Sequence, residues 1–72
     1  MQNKNQIQSI QTYGDVLVLF KRFGIHIYTG DSLGDLELME DELQELHQGG
    51  LIDSREYIEA RNILRARRRQ VE

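Results

Sequence analysis

Few residues in this sequence are of types and spacings that could perform catalysis. His26 and His47 lie in different predicted elements without metal-ligand spacing, and no nucleophile is paired with a base in a known motif. Cysteine is absent, which excludes disulfides and thiolate metal sites. The two glycines in residues 30–34 form neither a phosphate-binding loop nor a dinucleotide fingerprint. The sequence therefore predicts a protein that is not an enzyme and needs no metal or cofactor.

The charged residues are separated along the chain, although the formal net charge is only −3. Residues 31–45 contain seven acids and no base, whereas residues 61–69 contain five arginines and no acid. Leucine and methionine side chains interrupt the acidic run, so it lacks the alternating oxygen ligands of a calcium loop. Local fields of opposite sign therefore matter more than the net charge for the choice of partner.

The arginines near the carboxyl terminus predict a basic ridge. Three of them recur at i, i+4 and i+7 of one helix, and guanidinium groups bind phosphates and stack on bases. An accessible tyrosine on the connector could stack on a base. The predicted nucleic-acid-binding residues are Lys21, Arg22, Tyr28, Arg61, Arg65, Arg68 and Arg69. The same arginines could instead stabilise a helix carboxyl terminus or pair with the acidic helix, within or between molecules.

The acidic helix offers a different kind of surface. Leu38 points away from the apolar stripe into the acidic face, where it is either a contact for another protein or an ordinary exposed leucine. The predicted protein-interaction residues are Glu37, Leu38, Asp41, Glu42 and Glu45. Self-association through the opposed acidic and basic regions is a third hypothesis, which would make the protein a homo-oligomer.

Glu40 is the one acid whose helical angle falls inside the apolar stripe, between Leu36 and Leu43. We expect its side chain to be partly buried and paired with Arg61. Its replacement by alanine should then cost more stability than Glu42→Ala.

Apolar periodicity and capping residues predict three helices, over about residues 12–23, 32–48 and 54–69. Thr12 with Asp15, and Asp53 with Glu56, have the spacing of capping boxes. The apolar positions of the first helix are Tyr13, Val16, Leu17, Leu19, Phe20 and Phe23. Those of the second are Leu33, Leu36, Met39, Leu43 and Leu46. Those of the third are Tyr57, Ala60, Ile63, Leu64 and Val71.

The fold class that follows is all-α, a small three-helix bundle over residues 12–72 preceded by a polar, disordered tail over residues 1–11. Residues 25–29 alternate apolar and polar side chains, but no second strand-like run exists to pair with them, so they predict an extended connector. Ile7 and Ile10 are tail residues able to dock on the core. No apolar run is long enough to span a membrane, and the tail lacks the apolar segment of a signal peptide. We therefore expect a cytoplasmic protein.

The stretch Ile-Tyr-Thr-Gly-Asp-Ser-Leu-Gly-Asp-Leu-Glu-Leu-Met-Glu-Asp-Glu-Leu-Gln-Glu-Leu at residues 27–46 resembles the YqgQ-like family of small Bacillus-type bacterial proteins. The similarity runs from about Thr12 to Leu64. The resemblance implies a three-helix bundle. It supplies no catalytic residues that could be assigned to positions of this sequence. It also implies, mainly through structural comparison within the family, binding of single-stranded nucleic acid.

Overall fold

Three helices and their connecting segments make up residues 9–72, which a computed structural model describes. Helix α1 spans Tyr13–Arg22, α2 spans Ser32–Gln48 and α3 spans Ser54–Val71. Residues 9–72 contain no strand, so the predicted all-α three-helix fold is confirmed. Most of the predicted tail, residues 1–8, lies outside the described residues. None of the three helices has the length and the mean hydropathy needed to cross a membrane.

Helix α1 begins at the predicted capping box. The Asp15 backbone N–H donates to the Thr12 hydroxyl at 3.1 Å, and the Asp15 carboxylate accepts the Thr12 N–H at 3.1 Å. The same carboxylate accepts the Gln11 N–H at 2.9 Å. The helix ends at Arg22 with Phe23 as its carboxyl-terminal cap, and Gly24 takes a positive φ of 72°, which favours glycine. Local hydrogen bonds thus fix both ends of α1.

Asp15 gives α1 an expected pH dependence. Hydrogen bonds from the Gln11 and Thr12 backbone N–H groups stabilise the carboxylate and lower the pKa of Asp15 from its ordinary value of 3.8. A lowered folded-state pKa means that this contribution is present above pH 3.8 and is lost as the pH falls through the folded value. An NMR titration of the Asp15 carboxyl carbon should give a midpoint below 3.8. A midpoint at or above that value would contradict the capping geometry, and Asp15→Asn should remove this part of the acid response.

Helices α2 and α3 also begin at capping residues, and the cap of α3 is the predicted one. The Asp31 carboxylate accepts the Gly34 N–H at 2.8 Å. At α3, the Glu56 N–H donates to Asp53 at 2.7 Å, and the Asp53 N–H donates to the Glu56 carboxylate at 3.0 Å. Between them, Gly50 takes a positive φ of 76° and allows the short turn that ends α2. The connection between α2 and α3 is therefore short, at residues 49–53.

Helix α3 packs antiparallel to both other helices. Arg22, at the end of α1, approaches Glu56 at the start of α3, whereas Tyr13 lies under Arg67 near its end. Likewise His47 of α2 stacks on Tyr57, near the start of α3. Helices α1 and α2 therefore run in the same direction, so residues 23–31 must return along the molecule to join them. This requirement explains why residues 25–29 are extended without belonging to a sheet.

One core holds these elements together. Its buried members are Val16, Leu19, Phe20, Leu36, Met39, Leu43, Leu46, Ile52, Ala60 and Leu64. Ile25 and Ile27 of the connector pack against the core. Ile10 also packs against it, as predicted, and its N–H donates to Glu59 at 3.0 Å. Two predicted core positions are wrong. Leu17 and Val71 are exposed, because Leu17 lies at the edge of the α1 stripe and Val71 is the last residue of α3.

Candidate functional site

The seam between α2 and α3 carries the largest group of ion pairs among residues 9–72. Arg68 lies 3.3 Å from Glu37 and 3.9 Å from Glu40, and it also contacts Glu72 at 3.1 Å. Arg65 approaches the other oxygen of Glu40 at 3.9 Å. Two arginines of the predicted basic ridge thus face carboxylates of the neighbouring helix.

The predicted Glu40–Arg61 pair is wrong. Glu40 pairs with Arg65 and Arg68, and the Arg61 guanidinium lies over the Tyr57 ring, 5.4 Å from its centroid. The helix register is the reason, because the stacking of His47 on Tyr57 places Glu40 opposite residues one to two turns beyond Arg61. The Nε of Arg61 and the Oε2 of Glu40 are buried without a hydrogen-bond partner in the described residues.

The predicted burial of Glu40 is confirmed, since its side chain is only 22% exposed. Glu40→Ala should lower the free energy of unfolding by about 1 to 2 kcal/mol, because it removes the partly desolvated carboxylate with which Arg65 and Arg68 pair. Glu42 has no Lys or Arg within 4.0 Å in residues 9–72, so Glu42→Ala should cost less than about 0.5 kcal/mol. Urea denaturation of both variants measures the difference. Equal midpoints would show that the pairing does not stabilise the fold.

The Tyr57 ring contacts two nitrogen-containing side chains. The His47 ring stacks on it at 4.4 Å with planes 8° apart, and the Arg61 guanidinium approaches at 5.4 Å. The Nε2 of His47 is also 3.2 Å from the Ser54 hydroxyl. His47 thus ties the end of α2 to the start of α3, a role that its predicted helix-end position only partly indicated. Within residues 9–72, no three His, Asp or Glu side chains converge as metal ligands would.

The basic residues of α1 lie at the other end of the molecule. Arg22 is 3.9 Å from Glu56 and its guanidinium also approaches the Phe23 ring, while Lys21 is exposed. Glu56 and Arg68 are 12 positions apart on α3, or about 18 Å at 1.5 Å per residue. The structure therefore does not bring Lys21 and Arg22 close to Arg68, at the end of the arginine ridge.

The other predicted nucleic-acid contacts are exposed. The Tyr28 ring on the connector is 87% exposed, and the Arg65 side chain is 56% exposed despite its approach to Glu40. Arg69 is exposed and has no carboxylate within 4.0 Å in residues 9–72. Together with the exposed Lys21 of α1, these three side chains remain available to a ligand.

The Arg67 side chain makes a contact with α1 that the sequence did not predict. Its guanidinium lies 4.0 Å from the centroid of the Tyr13 ring, and the Tyr13 hydroxyl approaches the Met39 sulfur at 3.6 Å. A cavity of about 80 Å³ adjoins this contact, lined by Tyr13, Ser32, Asp35, Leu36, Arg67 and Val71. Small-molecule sites usually enclose 300 Å³ or more. The position of Arg67, one turn after Ile63, is the sequence signal for a side chain that faces α1.

The outward side of α2 combines one apolar side chain with several acids. Leu38 is 45% exposed, Asp41 and Glu45 are exposed, and Glu42 is half-buried. Within residues 9–72, none of the three acids lies within 4.0 Å of a Lys or Arg. We call these four residues the α2 outer face. Glu37, the fifth predicted residue, turns toward α3 and binds Arg68.

Comparison with known proteins gives a consistent result. The model of the family described as YqgQ-like matches residues 10–70. The chain is also 38% identical over 56 residues to the uncharacterised protein YqgQ of Bacillus subtilis (strain 168), an alignment that covers 78% of this chain and 79% of that protein. The chain belongs to the YqgQ-like family.

The YqgQ-like match extends beyond the predicted span of residues 12–64. It includes Ile10, which packs against the core, and the α3 segment that carries Arg65 and Arg68. The charged seam between α2 and α3 therefore lies inside the matched YqgQ-like domain, and so does the α2 outer face.

Proposed function

We propose that this YqgQ-like chain is a non-catalytic binding protein whose α2 outer face recognises a basic surface of a protein partner. The observation that carries the proposal is the exposure of Leu38 among three carboxylates that have no ion-pair partner in residues 9–72. In contrast, the carboxylates on the α3 side of the same helix, Glu37 and Glu40, bind arginines of this chain. The outward acids are therefore free to attract a partner as far as residues 9–72 are concerned.

The position of Leu38 suits recognition. Leu36, Met39 and Leu43 are buried on the opposite side of α2, so the helix presents the outer face from a fixed backbone. A rigid site loses less conformational entropy on binding. Protein interfaces commonly place an apolar contact near the centre and charged residues around it, where the charges steer association and select the partner. The α2 outer face has this arrangement on a small scale.

A photo-crosslinking amino acid at position 38 tests the proposal in the native host. The matched control places it at Val18, which is also exposed but lies on α1 beside Lys21. Crosslinking from position 38 should capture a defined protein in good yield, and the control position should not. The proposal fails if both positions capture the same background of proteins or none.

Leu38→Asp should weaken the interaction without unfolding the chain. The side chain is nearly half exposed, so the substitution should change the free energy of unfolding by less than about 1 kcal/mol. The added carboxylate would meet the partner where the apolar contact is needed and should weaken binding at least tenfold. Isothermal titration with the captured partner measures the loss, and circular dichroism checks the fold. Unchanged affinity would show that Leu38 is an ordinary exposed leucine.

Single-stranded nucleic acid is the second candidate ligand, supported by the exposed Tyr28 ring and by Arg65 and Arg69. Aromatic and guanidinium groups of this kind stack on bases and bind phosphates. Fluorescence anisotropy with a labelled oligonucleotide should then show saturable binding that weakens steeply with salt. Arg69→Glu should weaken it, whereas Arg55→Glu, on the same helix but near its start, should not. Absence of saturable binding at low salt excludes this candidate.

A further inference from the structure

The outward side of α3 carries charge of the opposite sign to that of the α2 outer face. Ile58 is 46% exposed, and Asn62, Arg65 and Arg69 are exposed along the same side at spacings of three and four residues. These four residues form the α3 outer face. It combines one apolar side chain with two arginines, and its only carboxylate contact in residues 9–72 is the 3.9 Å approach of Glu40 to Arg65.

The two outer faces match in spacing as well as in charge. Leu38 and Glu45 are separated by seven positions on α2, and Ile58 and Arg65 are separated by seven positions on α3. At 1.5 Å per residue, both separations are about 10 Å along the helix. If α2 of one molecule and α3 of another lie side by side in the same direction, both contacts form at once. Leu38 contacts Ile58, and about 10 Å further along the helices Glu45 contacts Arg65. Each contact then pairs an apolar group with an apolar group and an acid with a base.

We propose that the partner of the α2 outer face is the α3 outer face of a second copy of this chain. The inference rests on the proposed function, because it uses the same α2 surface, and it names the partner. The two faces are different surfaces of one molecule, so each contact leaves one face of each kind free at the ends of the assembly. Association therefore continues past a dimer, into a closed ring or an open chain. It is also weak and sensitive to salt, because each side contributes a single helix face rich in exposed charge.

Sedimentation equilibrium of the full chain tests the inference. At low ionic strength the weight-average mass should rise above the monomer mass of 8.5 kDa and keep rising with concentration past that of a dimer. In about 0.5 M salt it should return toward the monomer value, because the Debye length falls to about 4 Å. A monomer mass at every concentration in low salt overturns the inference.

Two variants separate the two faces. Leu38→Asn with Glu45→Gln disables the α2 outer face, and Ile58→Asn with Arg65→Gln disables the α3 outer face, with all four changes at exposed positions. Each variant alone should sediment as a monomer. An equal mixture retains one intact contact, between the α3 face of the first variant and the α2 face of the second. It should therefore give a species of twice the monomer mass that does not grow further.

The outcomes distinguish this inference from the proposed function. If either variant alone still associates like the unchanged chain, the two faces are not the contact and the inference fails. If the chain is monomeric while a crosslinker at position 38 captures a different protein, the inference fails and the α2 outer face remains a binding surface. If the crosslinker instead captures a second copy of the chain, both are supported.

Discussion

Replacing Leu64 by alanine should lower the free energy of unfolding by about 3 kcal/mol, since the substitution removes three buried carbon atoms and leaves a cavity in the core. Leu64 is fully buried, on the side of α3 that packs against the core between the helices. A domain of this size has only a few kcal/mol of stability in total. Urea denaturation followed by circular dichroism should therefore show a large fall in midpoint and a partly unfolded chain even without urea.

Ile58→Ala is the matched control for Leu64→Ala. Both residues lie on α3 and both changes remove aliphatic carbon atoms, but Ile58 is nearly half exposed. We expect the control to cost less than about 1 kcal/mol. If the two variants have similar midpoints, the packing of α3 against α1 and α2 differs from the one described above.

Glu56→Ala should lower the free energy of unfolding by about 2 kcal/mol. Glu56 is the buried charged residue of the described chain, and its carboxylate accepts the Asp53 N–H at 3.0 Å and lies 3.9 Å from Arg22. Alanine removes the acceptor, leaves the Asp53 N–H without its partner and opens a gap between α1 and α3. The capping box and the α1–α3 contact are therefore weakened together.

Glu56→Gln distinguishes these contributions. Its amide oxygen can still accept the Asp53 N–H, but it carries no charge for Arg22, so it should retain more stability than alanine. Hydrogen exchange at the Asp53 amide should be faster in Glu56→Ala than in Glu56→Gln. Equal exchange rates and equal unfolding midpoints would mean that the hydrogen bond to Asp53 contributes little.

The features that the sequence predicted correctly depend on local interactions. The starts of α1 and α3 follow from Thr12 with Asp15 and from Asp53 with Glu56, pairs three residues apart whose hydrogen bonds form within one turn. The predicted end of α2 at residue 48 agrees with the structure, where Gly49 caps the helix. Periodicity likewise placed most of the core, because burial of one stripe needs only the helical repeat.

The features that the sequence did not predict depend on how the helices are aligned with one another. The partners of Glu40 are Arg65 and Arg68 rather than Arg61, because packing between α2 and α3 sets their register. The contact of Arg67 with Tyr13 joins residues 54 positions apart. No spacing rule within a helix contains this information. For the same reason, the sequence raised pairing between the arginine ridge and the acidic helix but did not identify which carboxylates pair with which arginines.

The common direction of α1 and α2 has a consequence for the order of folding. Residues 49–53 close a small loop, so α2 and α3 can pair early at little cost in chain entropy. Docking of α1 also requires residues 23–31 to run back along the molecule, so we expect it to follow the pairing of α2 with α3. We therefore expect core substitutions in the α2–α3 hairpin to slow folding, and those in α1, such as at Val16, mainly to hasten unfolding.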